Sequence, residues 1–236
     1  MLFVFFDFVF LATWSRGFSG LSITAWIISG VVQFCVRLAL ASAALLFACR
    51  HYEVPAEAVG IRRSSMISDF KWSFRICTIG AAVMGAVIVA GFMTAVRLGI
   101  RLPAPPGVFV QYLSGEWTFQ RCIIIGILGV AGNALVAATE EFIYRSLFLP
   151  PLISRLGLWP AVAVSSIVFG LAHVIPFGQG GIPLPQILGG GMMAAAFSVR
   201  WSVIPAIVVH WMGNLFAGFF LFIYVGLFGT NPSWFS

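Results

Sequence analysis

Long apolar blocks alternate with short polar connections along this chain of 236 residues. The blocks run at about 2–14, 21–49, 76–96, 121–149, 158–176, 184–199 and 203–228, and most reach the roughly 20 residues that a helix needs to cross a bilayer. The pattern predicts an all-α fold, a polytopic transmembrane bundle of about 6–8 helices. The 2–14 block reads as a short first span or a membrane-surface helix, since no basic segment precedes it and no small-residue cleavage site follows.

Composition agrees. Hydrophobic residues make up 61% of the chain and charged residues 8%, against about 25% charged in a soluble domain. The high isoelectric point, near 9.7, raises the question of nucleic acid. The basic residues lie at the ends of apolar blocks, with no basic patch interleaved with aromatics, so the expected partner is the lipid bilayer and not nucleic acid. Arg50, Arg62, Arg63, Lys71 and Arg75 crowd the 50–75 connection, and Arg155 and Arg200 mark two later turns. The positive-inside rule puts these in the cytoplasm and the C-terminus outside. Cys35, Cys49, Cys77 and Cys122 form no C-x-x-C pair and read as small core hydrophobes.

Ionisable groups inside such blocks are expensive, about 2.5–3.5 kcal/mol each at the bilayer centre on insertion scales. The stretch ATEEFIYRSLF, 138–148, nevertheless holds Glu140, Glu141 and Arg145. Glu141 and Arg145 are four apart, share a helix face and can neutralise each other. Glu140 projects about 100° away, on the side of Tyr144. Of the three histidines in the chain, His51 falls in the polar connection. His173 follows Phe169 by one turn in FGLAH, and His210 precedes Asn214 by one turn in HWMGN. With a rise of about 1.5 Å per residue, Glu140 lies about 22 Å from Arg155, His173 about 21 Å from Trp159, and His210 and Asn214 about 15 and 21 Å from Arg200. Separate helices therefore bring an acid, two imidazoles and an amide to a common depth. One helix from 121 to 155 would span about 51 Å, too long for a bilayer core, so it has to bend, tilt or protrude; Gly126, Gly129 and Gly132 offer a place for a bend. The run Gly189-Gly190-Gly191 is expected to loosen the 184–199 span.

EEFIYR, FGLAH and HWMGN, in this order, resemble the E-E-x-x-x-R, F-x-x-x-H and H-x-x-x-N motifs of the CPBP family, the CAAX-protease and bacteriocin-processing intramembrane endopeptidases. Tyr144 stands where relatives often have Phe, and Ser146 where they often have Gly. The resemblance divides the chain into N-terminal spans and a cytoplasmic loop without signature (1–115), a CPBP-like core (116–228) and a short tail (229–236). It implies a peptidase acting on a peptide or lipidated protein, at a site in the membrane open to the cytoplasm. Glu140 and His173 activate water in this reading, His210 and Asn214 stabilise the oxyanion, and Glu141, Tyr144, Arg145 and Phe169 support them. No cofactor is expected.

The alternative chemistry is zinc held by Glu140, His173 and His210 with one open position; the family has long carried the label metalloprotease. The chain has no H-E-x-x-H, and an asparagine beside His210 suits an oxyanion better than a metal. A non-catalytic immunity or scaffold protein, or a proton-coupled transporter, would also keep polar groups in its spans. No inverted repeat supports the transporter.

Overall fold

The computed structural model describes residues 23–62, 65–99, 119–177 and 183–228. Among them are α-helices and no strand: α1 (Ile23–His51), α2 (Met66–Arg97), α3 (Phe119–Glu141), α4 (Leu149–Leu156), α5 (Leu158–Phe177), α6 (Leu184–Arg200) and α7 (Val203–Phe228). A short 3₁₀ turn, Ala56–Val59, follows α1, and a π-helical segment, Phe142–Phe148, joins α3 to α4. The all-α expectation holds. Among the described residues no helix is long and apolar enough to cross a membrane. The 2–14 block and the 229–236 tail lie outside the described residues.

The apolar blocks locate most helices to within two residues, but α2 begins at Met66, so Lys71 and Arg75 lie on a helix and not in an open connection. Asp69 sits in its first turn, where a carboxylate is favoured by the positive end of the helix dipole. Cys35 is exposed and Cys49 and Cys77 are half-buried, so these three do not line the core.

The break in the long 121–155 segment falls after the glycines, at the π segment. Pro150 and Pro151 open α4. Neither has an N–H to give to the carbonyl one turn back, so the preceding turn loses two α-type bonds and relaxes. The Leu149 N–H reaches Tyr144 O, five residues back. Single π turns inside α-helices recur at functional sites.

The core gathers Ala41 from α1, Ile143 and Tyr144 from the π segment, Leu149, Ala161, Val162 and Phe169 from α4 and α5, Met193, Ala194 and Phe197 from α6, and Val203 and Ala206 from α7. Helices α5 and α6 pack closely because a glycine lies at their crossing: a Cβ on Gly190 would sit 3.1 Å from Ser166 Cα and 3.3 Å from Ser166 O. Close approach, and not the loosening expected of the Gly189-Gly190-Gly191 run, is what Gly190 provides.

At the other end of α6, Trp201 adopts a left-handed conformation with φ 47° and caps the helix, its N–H on Phe197 O. Its indole Nε1 donates to Ala58 O at 3.2 Å, and Val203 N donates to Gly60 O at 2.9 Å. The 3₁₀ turn is thereby fastened over the α6–α7 junction.

Candidate active site

Glu140 and Glu141 end α3, and both are buried. Glu141 divides its carboxylate between two partners. Oε2 forms an ion pair with Arg145 Nε at 2.9 Å, and Oε1 accepts a hydrogen bond from His210 Nδ1 at 2.9 Å. The Glu141–Arg145 pairing read from their spacing is present. The bond to His210 was not legible, since it joins residues on α3 and α7.

Arg145 is fully buried, and both of its terminal NH groups reach neighbouring helices. One NH group donates to Ser165 Oγ at 2.8 Å on α5 and the other to Gly190 O at 3.1 Å on α6. Its guanidinium also stacks over the Phe169 ring, 5.2 Å from the centroid. A planar five-donor cation suits such a site better than an ammonium.

Phe169 is the apolar centre of the site. Its ring meets Tyr144 edge-on at 5.2 Å, His210 edge-on at 5.6 Å and His173 at 4.6 Å. Its carbonyl, one turn before His173, lies 2.8 Å from His173 Nδ1. A carbonyl can only accept, so Nδ1 carries the proton. The same reasoning assigns a proton to His210 Nδ1, which faces a carboxylate.

Both rings therefore present Nε2 to Glu140. His173 Nε2 lies 3.7 Å and His210 Nε2 3.8 Å from the same oxygen, Oε2. These separations exceed a direct hydrogen bond and match the range in which a bridging water is the first thing to consider. Glu140 Oε1 faces the other way, 3.8 Å from Arg37 NH2 on α1. Two guanidiniums thus balance two carboxylates in the buried cluster, as burial of charge requires.

Arg37 is the site residue that sequence reasoning missed. Asn214 lies one turn beyond His210 on α7 and is partly exposed. Among the described residues, no group of three His, Cys, Asp or Glu side chains is arranged to hold a metal ion.

A buried carboxylate with two imidazoles from separate helices is a constellation for acid–base chemistry on a bond brought to it. Residues 117–216 match the family model described as Type II CAAX prenyl endopeptidase Rce1-like. That match supports the CPBP and CAAX-protease family that the three motifs resemble. The match supports a hydrolase of the protease class. No curated protein and no solved structure matches the chain.

Proposed function

We propose that the protein is an integral-membrane endopeptidase that uses Glu140 to activate water against a peptide bond of a membrane-associated or lipidated substrate. One observation carries this reading: Glu140 Oε2 faces the Nε2 atoms of His173 and His210 at 3.7 and 3.8 Å. A water held there gives one proton to Glu140 while its oxygen attacks the scissile carbonyl carbon. The His173 Nε2 lone pair keeps that water oriented. The proton on Glu140 then passes to the leaving nitrogen as the C–N bond breaks.

The oxyanion is stabilised by Asn214 and by His210 in its doubly protonated form, which presents Nε2–H and leaves the cluster with a net positive charge that favours the developing negative one. A donor of this kind is worth about 100- to 1,000-fold in rate.

Support for a lipid setting comes from the inverted distribution of polarity. Val32, Leu40, Phe47, Ile79, Leu188 and Met192 point outward, whereas Arg37, Glu140, Glu141 and Arg145 are buried. Soluble proteins bury the former and expose the latter. The positive-inside pattern supports a site open to the cytoplasm.

The test uses purified full-length protein and a fluorogenic peptide with a farnesylated Cys-aliphatic-aliphatic-X tail, beside its unprenylated twin. Glu140→Gln is expected to fold as the parent does and to lose nearly all turnover. Normal turnover by that variant would falsify the role of Glu140 as base, whereas no turnover by the parent leaves the scaffold. Activity that vanishes with a chelator and returns with zinc would overturn the metal-free chemistry.

A further inference from the structure

Arg37 lies well before residue 117, where the family match begins. Its helix buries Arg37, Ala41, Ala44 and Leu45, positions at i, i+4, i+7 and i+8 that form one inward stripe. Val36, Leu40, Leu46 and Phe47 are exposed. Arg37 is therefore part of the buried face and stands about 21 Å from the helix end at His51, a depth comparable with that of Glu140. A guanidinium does not give up its proton, so this buried group stays charged and needs a counter-charge.

The other guanidinium of the site is committed elsewhere, to Glu141, Ser165 and Gly190 O. Arg37 is the guanidinium within ion-pair distance of Glu140, on Oε1, while Oε2 faces the imidazoles.

We propose that Arg37 is a positioning residue for Glu140: it engages Oε1 from a helix outside the family-matched segment and so turns Oε2 toward His173 and His210. The first helix thereby completes the site. Without Arg37 the carboxylate is free to rotate about its last bond and to turn Oε2 away from the attacking water. This rests on the role of Glu140 given above, and the controls separate the two.

The experiment compares Arg37→Met, Arg37→Lys, Arg37→Ala and Glu140→Gln in the full chain with the same farnesylated peptide. Arg37→Met is expected to lower kcat about 100-fold, the scale set by a misplacement near 1 Å, with KM changed less than about 2-fold. Arg37→Lys restores part of that loss, because an ammonium keeps the charge without the fork. Added guanidinium rescues Arg37→Ala and not Glu140→Gln.

Parental turnover by folded Arg37→Met, with Glu140→Gln inert, overturns the positioning role and leaves the endopeptidase standing. Loss of activity in every Arg37 variant that tracks loss of thermal stability, with no guanidinium rescue, makes Arg37 purely structural and also overturns it. If Glu140→Gln turns over normally, the role of Glu140 falls, and the positioning role of Arg37 with it.

Discussion

His210 donates through Nδ1 to Glu141 Oε1 at 2.9 Å, a buried bond between residues 69 positions apart. The same carboxylate is the counter-charge of Arg145. Glu141→Ala leaves a buried guanidinium unbalanced and is expected to destabilise the protein by about 3–5 kcal/mol, read as thermal unfolding in detergent. Glu141→Gln keeps an acceptor for His210, retains more stability, and lowers kcat with KM little changed.

Adjacent glycines on α6 should respond oppositely. A Cβ at Gly190 meets the Ser166 backbone at 3.1 Å, whereas one at Gly189 meets nothing within 4 Å. Gly190→Ala forces α5 and α6 apart, stretches the Arg145–Gly190 bond and costs about 1–3 kcal/mol. Gly189→Ala is expected to be neutral or to stabilise α6 by up to about 1 kcal/mol, the difference in helix propensity. Unfolding temperatures of the two variants check the contrast.

Asp69 gives a dependence on pH. Burial opposes its charge, but hydrogen bonds from Ser65 and Arg200, the nearby Ser202 hydroxyl and the Arg200 charge itself outweigh this and hold its carboxyl below the usual 3.8. Arg200 Nε lies 2.9 Å from Oδ1 and Ser65 Oγ 2.7 Å from Oδ2. The folded value is below the unfolded one, so this stabilisation is complete above the unfolded value and fades as pH falls through the folded one. Asp69→Asn is expected to lower thermal stability between about pH 5 and 8, with the gap to the parent closing in stronger acid. A constant gap down to the lowest accessible pH contradicts this.

Gly60 has φ 83°, and a Cβ there would collide with the Phe197 ring and approach Val203 N to 3.2 Å. Gly60→Ala combines left-handed strain with loss of the seal over the α6–α7 junction. An expected cost of about 1–3 kcal/mol, with faster proteolysis between 52 and 62, follows from these contacts.

The pattern of apolar blocks placed the helices, because a bundle is written in block length and periodicity. The site was legible wherever its chemistry is local in sequence: Glu141 with Arg145, and Phe169 with His173, are four residues apart. It was illegible where partners come from distant helices. Arg37 stands inside an apolar block with no ionisable residue at helical spacing from it, and nothing in the sequence links position 37 to position 140. The π segment was foreshadowed by Pro150-Pro151, yet the glycines upstream drew attention because small residues also permit bends. Asn214 was placed by its spacing from His210, and the structure adds that it is partly exposed on the same helix.

The Arg145 fork binds Glu141 on α3, Ser165 on α5 and Gly190 on α6. Hydrogen bonds to a charged group are worth about 1.5–3 kcal/mol each, so α5 and α6 part only by breaking at least one of the last two. Thermal breathing of the bundle is consequently uneven. Seams closed by van der Waals contact alone are expected to open first, and this clasp last.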